Sequence, residues 1–191
     1  VEAVGPDVDK KIIGKTYSTV PCFDLGKYGV YGEVAIVPAY ALAAYPEKLS
    51  YAEGTSIWMQ YMTAYGALIH YGALAKNDFV LITAASSSVG LAAIQMTRAQ
   101  GAISIVTTRT PKKKAELLSL GADHVIVTNE ENLPERVREI TKGAGVKIVF
   151  DPIAGKGVET LAEALSPGGT LFVYGNLSLE EITPFPLFAA L

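Results

Sequence analysis

The 191-residue sequence predicts an α/β fold in which a doubly wound parallel sheet follows a short β-rich segment. Three observations predict it. Short, nearly unbroken apolar runs such as residues 79–83 carry the pattern of strands buried on both faces. Stretches with apolar residues at helical spacing separate these runs, and glycine closes several of them. Strand and helix patterns alternate from residue 79 to residue 174, and such alternation imposes right-handed crossovers on a parallel sheet.

The elements follow in order. Up to residue 46, short alternating strands, one holding Val34, Ile36 and Val37, are broken by Gly26, Gly29 and Gly32, a pattern suited to part of a barrel. Residues 49–74 carry helical patterning. The strand at 79–83 leads through Ala84, Ala85, Ser86, Ser87 and Ser88 into a helix in which Ala92, Ala93 and Met96 share one side, with Gly101 as its stop. A second strand spans 103–107. Pro111 then takes a favoured first helical position, and that helix runs to Leu120 before Gly121. The third strand, 125–128, precedes a helix opened near Asn132 and Pro134 and closed by Gly143. A fourth strand, 147–150, ends at Asp151 and Pro152. A helix over 157–165, a turn over 166–169 and a fifth strand over 170–174 complete the set. Ligands of such sheets bind beyond the carboxyl ends of the strands, which gathers Thr108, Thr128, Ile153 and Tyr174 near one rim.

Composition narrows the function. A net charge of −3 with half the residues hydrophobic argues against a nucleic-acid surface or a polybasic membrane patch. The sequence shows neither a membrane-spanning run nor a signal-peptide pattern. One cysteine, Cys22, excludes an internal disulfide and suits a reducing compartment, so a cytoplasmic location is expected. With that cysteine and two scattered histidines, His70 and His124, no metal-ligand cluster is expected.

Chemistry concentrates at the first turn. A helix that starts at Ser88, Val89 and Gly90 turns its free amides and positive dipole end towards whatever lies above the sheet, a favourable place for a pyrophosphate. Ala85 and Ser87 stand where the first two glycines of a Gly-x-Gly-x-x-Gly turn would be, and only Gly90 matches the third. Ser86, Ser87 and Ser88 offer hydroxyl donors instead, although the turn by itself equally fits a polar cap on an ordinary helix. The end of the second strand is more telling. Where an NAD-specific site carries an acid for the ribose hydroxyls, this chain has Thr108, Arg109, Thr110 and Lys113, as expected for a 2′-phosphate neutralised by charge-assisted hydrogen bonds. Lys112 and Lys114 read more simply as a solvated helix start.

The segments VLITAASSSVGLAAIQMTRAQGA, TTRTPKK, LLSLGADHVI, FDPIAG and LSPGGTLFVYG resemble, in that order, the nucleotide domain of medium-chain dehydrogenases/reductases, in their zinc-free, zeta-crystallin-like quinone oxidoreductase branch. Upstream, VEAVGPDV, YGVYGEVAIVPA and LSYAEGTSIWMQYMTAYGAL resemble the tail of that family's GroES-like lobe and the helix entering its cofactor domain. The resemblance implies a partial GroES-like lobe over 1–46 and a Rossmann domain over 47–191, with the last strand and the return into the first lobe expected beyond Leu191. It implies NADPH as cofactor and a small-molecule acceptor, a quinone or an activated alkene or carbonyl. It adds Thr63, Ile153, Tyr174 and Gly175 as residues near the nicotinamide half, while Thr128 stands where some relatives carry a tyrosine beside the adenosine phosphate. It also implies a homodimer joined edge to edge through the last nucleotide-domain strand; with that strand expected beyond Leu191, an exposed edge and irregular association are expected of this chain. No catalytic residue emerges, since Asp151 before Pro152 reads as a turn residue and no tyrosine has a lysine four positions on. The chain as it stands is expected to turn over poorly, because most of a substrate wall would lie outside it. Two other readings remain: a non-catalytic dinucleotide-binding or assembly module, and a sheet for S-adenosylmethionine, which Thr108 and Arg109 disfavour because that site wants an acid there.

Overall fold

The computed structural model describes residues 1–187; the expected continuation beyond Leu191 lies outside the described residues. The chain divides into two compact units after Met59, where the sequence reading placed a boundary at 46/47.

The first unit has little regular structure. Strand β1 (Ser18–Thr19) pairs antiparallel with β2 (Leu42–Ala43). The segment of Val34, Ile36 and Val37 forms no strand, contrary to expectation, and Val34 and Ile36 are exposed. Alternation earns a ladder only where a neighbouring strand takes up the amides, and none does so here among the described residues. Helix α1 (Tyr51–Tyr65) opens in this unit on a capping box in which the Ser50 amide donates to Glu53 Oε2 at 2.8 Å and the Glu53 amide to Ser50 Oγ at 3.3 Å. The Ser50 amide, and after it the Ser50 hydroxyl, which also donates to Oε2 at 2.8 Å, hold the Glu53 carboxyl below its ordinary value. The Ser18 hydroxyl donates to the Gly54 carbonyl at 2.6 Å, tying β1 to the same helical turn.

In the second unit α1 continues as a π-helical turn (Gly66–Tyr71), so the expected 49–74 helix changes hydrogen-bond pattern part-way. Five parallel strands follow: β3 (Phe79–Ile82), β4 (Ile103–Thr108), β5 (His124–Val127), β6 (Val146–Asp151) and β7 (Leu165–Val173), in the spatial order β5-β4-β3-β6-β7. Helices α2 (Ser88–Ala99), α3 (Lys114–Ser119), α4 (Leu133–Ile140) and α5 (Gly157–Ala162) link them, α3 following a 3₁₀ turn that Pro111 opens. This is the doubly wound α/β sheet that the sequence predicts.

Alternate residues of each strand face opposite layers. Val80, Ile82, Val106, Ile148 and Phe150 pack on one face with Leu68, Ala93, Ile94 and Leu117, whereas Leu81, Ile105, Ile126 and Val149 pack on the other with Leu133, Val137 and Leu161. Both faces are therefore dry, which explains why these strands read as unbroken apolar runs. The last strand departs from expectation. Helix α5 ends at Ala162 rather than at residue 165, and β7 begins at Leu165. Between Leu165 and Thr170 on β7 the partner β6 advances only from Val146 to Ile148, so the expected turn over 166–169 is a bulge inside the strand, with Gly168 at φ +75°.

Candidate functional site

The sheet's winding reverses between β3 and β6, the place where doubly wound sheets open a crevice at their carboxyl ends. A cavity of about 1230 Å³ lies there, lined by the segments that follow β3, β4, β5 and β6. Each segment has a local cause. After β3, Ala84 takes a left-handed φ of +45° and swings the chain out of the sheet towards Ser86 and Ser87. The Ser87 hydroxyl then caps α2 by accepting the Gly90 amide at 3.1 Å. Gly90 has no room for a side chain: a Cβ there would lie 2.6 Å from the Ala85 carbonyl oxygen, so glycine lets the helix press on the turn.

After β4, Thr108 is the final strand residue and its hydroxyl donates to the Thr110 carbonyl at 3.1 Å. Arg109 and Thr110 line the cavity and are exposed, and among the described residues Arg109 has neither a hydrogen bond nor an ion pair. Lys113 reaches across the cavity mouth, its Nζ donating to Ser86 Oγ at 3.0 Å. The serine turn and the cationic corner thus meet through a direct bond.

After β5, Thr128 lines the cavity with its hydroxyl 3.4 Å from the Thr108 carbonyl. Asn132 caps α4 by accepting the Glu135 amide at 3.1 Å. Glu131 also lines this side. Its carboxylate accepts the Val127 amide at 2.7 Å and Arg136 Nε at 2.9 Å, and the Val127 bond is the main reason its carboxyl is held below the ordinary value.

After β6, Asp151 is wholly buried at the cavity floor. It accepts the Thr83 hydroxyl and, at 2.7 Å, the Ala154 amide. Ala154 is left-handed, φ +60°, and Ile153 lines the wall beside it.

The structure thus brings together Ser86, Ser87, Thr108, Arg109, Thr110, Lys113, Thr128 and Ile153. It leaves out Ser88, Val89 and Gly90, which form the first turn of α2 behind the cavity, and Thr63, which lies in α1. Tyr174 and Gly175 also stand outside the lining. The Tyr174 ring stacks on Phe150 with centroids 4.1 Å apart, and its hydroxyl is buried with no hydrogen-bond partner among the described residues. Burial, and after it the charge of Asp151, push the Tyr174 phenol upward. Sequence reasoning missed the Thr83–Asp151 pair. The signal available was weak: a hydroxyl ending one apolar run and an acid ending another.

The arrangement can hold an elongated anionic ligand, with serine and threonine hydroxyls along it and cations at one end. Among the described residues no group of three or more His, Cys, Asp or Glu is placed to hold a metal ion. Among those residues no helix is long and apolar enough to cross a membrane.

Comparisons with known proteins identify the family and the fold. Residues 88–191 match the family model described as zinc-binding dehydrogenase. The human quinone oxidoreductase is 33% identical over 82% of this chain and 47% of its own length. Among solved structures, a protein described as an NADPH:quinone reductase from Bacillus thuringiensis superposes with a TM-score of 0.79 at 28% identity, over 93% of this chain and 52% of that one. The Escherichia coli quinone oxidoreductase complexed with NADPH gives 0.70 at 31% identity, over 78% and 45%. The chain spans about half the length of the relatives it matches. With a family model covering more than half of its residues on a sheet of this winding, the chain belongs to the zinc-binding dehydrogenase family, in the quinone oxidoreductase branch of the medium-chain dehydrogenases/reductases.

Proposed function

We propose that the chain carries the NADPH site of an oxidoreductase that transfers a hydride to a quinone or an activated alkene or carbonyl. The observation that carries this reading is the cavity at the sheet's switch point, in which Lys113 and Arg109 close an acid-free corner beside the serine turn. Ser86 and Ser87 hold the pyrophosphate through hydroxyls and neighbouring amides. Thr108, Arg109, Thr110 and Lys113 neutralise the 2′-phosphate. Thr128 borders the adenosine side and Ile153 the side towards the nicotinamide, with Thr63, Tyr174 and Gly175 proposed further along that half. When bound, NADPH supplies the hydride. The protein's part is to fix the dinucleotide's orientation and to keep its charged half paired, so the reacting carbon is presented in register.

The relatives' names supply the acceptor class, and a homodimer through the sheet edge belongs to the same proposal. Exposed Cys22, a lone thiol, supports a reducing compartment such as the cytoplasm. Calorimetric titration of this chain with NADPH and NADH tests the reading. Binding of NADPH well ahead of NADH is expected, and equal affinity for the two removes the corner assignment. Rapid NADPH oxidation with a quinone by these residues alone would overturn the expectation that the chain turns over poorly. Binding without turnover, even when the remainder of a related enzyme is supplied, would favour the non-catalytic module.

A further inference from the structure

The deepest polar group beneath the cavity is not in the cationic corner. Asp151 is 0% exposed and Thr83 3%, and they meet across 68 residues of sequence. Burying a carboxylate is unfavourable unless its oxygens are satisfied, and here each oxygen has a separate task. Oδ1 accepts the Thr83 hydroxyl at the start of the β3–α2 turn, and Oδ2 accepts the Ala154 amide, at 2.7 Å, in the β6–α5 turn. The Thr83 amide donates to the Phe150 carbonyl at 3.2 Å, adding a backbone bond between the same two strand ends.

Both turns carry an alanine in the left-handed region, Ala84 at φ +45° and Ala154 at φ +60°. That conformation is unfavourable for a residue with a Cβ and persists only where the surroundings impose it. Each alanine sits next to one end of the Asp151 hydrogen bonds, and both line the cavity. The two walls of the crevice are therefore held at their bases by one carboxylate.

We propose that Asp151 and Thr83 form a buried clip, a pair of positioning residues that set the separation between the phosphate-binding turn and the wall on the nicotinamide side. This rests on the cavity being the dinucleotide site. A ligand that spans both walls depends on the clip, whereas one that occupies only the cationic corner does not.

The test is calorimetry on the whole chain with two probes, NADPH and adenosine 2′,5′-bisphosphate, for the wild type, Thr83→Val, Thr83→Ser and Asp151→Asn. Thr83→Val keeps the side chain's shape and leaves Oδ1 unpaired; it is expected to weaken NADPH about tenfold while the bisphosphate changes by no more than about twofold. Thr83→Ser restores the hydroxyl and is expected to restore NADPH affinity. Should Thr83→Val fail to fold, as circular dichroism would show, Asp151→Asn must give the same split between probes. The clip is overturned if NADPH binds the variants as it binds the wild type, if both probes weaken together, or if serine performs no better than valine. A wild-type chain that binds neither probe sinks the cofactor reading itself and this inference with it, a result distinct from the others.

Discussion

The two halves of the crevice are built on opposite principles. On the β4 and β5 side the functional groups are exposed: Arg109, Thr110, Lys113 and Thr128 sit at the surface. On the β3 and β6 side the floor is hidden, with Thr83, Asp151 and Ala154 buried, and Ser86 and Ile153 are exposed at the lip. An exposed cation keeps its hydration until a phosphate arrives, so it discriminates by charge and contributes little to folding. A buried carboxylate contributes nothing unless its donors are in place, so it discriminates by geometry and depends on the fold. The same site therefore separates recognition of a ligand's charge from control of its position.

Substitutions can break or sharpen that division. The largest effect is expected for Phe150→Ala, which removes a fully buried ring stacked on Tyr174 at the base of the hidden half. Urea unfolding should show a loss of about 3–5 kcal/mol, and an unchanged midpoint would mean that this half is not organised by its core. Arg109→Ala attacks the other half: NADPH should bind more weakly by about 1.5–3 kcal/mol while NADH binding and the unfolding midpoint stay as in the wild type. A matching loss for NADH would erase the distinction between the halves. Ser87→Ala lies where both roles overlap, since this hydroxyl caps α2 and lines the cavity. It should lower stability by about 1 kcal/mol, read from the unfolding midpoint.

The smallest effect belongs to Tyr174→Phe. The phenol is buried without a partner, so its removal should leave stability at neutral pH unchanged or slightly raised. The pH dependence is more informative. The folded state holds this phenol protonated, raising it above the ordinary value of 10.0, chiefly by burial. Its contribution is then complete below pH 10.0 and declines as pH rises towards the folded-state value. Denaturant titrations through the alkaline range should show the wild type losing stability that Tyr174→Phe retains. Parallel curves would mean the ring's ionisation is unperturbed.

Much of the fold was legible because its signals are local. Residues 79–83 read as a two-sided buried strand from their own composition, Gly101 and Gly121 end their helices with φ of +68° and +103°, and Asn132 caps α4 by bonding three residues ahead. The start of β7 was not legible. Ser166, Pro167, Gly168 and Gly169 carry turn chemistry, yet pairing of Leu165 with Val146 turns them into a bulge within a strand. Likewise Val34, Ile36 and Val37 show strand alternation, but no ladder neighbour among the described residues completes it.

The sequence by itself determined the alternation of strands and helices, the turn of small residues before α2, and a cationic, acid-free corner after β4, because each depends on residues within a few positions of one another. Only the tertiary structure decided that β3 lies between β4 and β6, and with it that Asp151 meets Thr83 and Lys113 meets Ser86. Such bonds join residues that spacing along the chain does not relate. They exist because strand order and register set which side chains come within hydrogen-bond reach, and those are properties of the packed sheet as a whole.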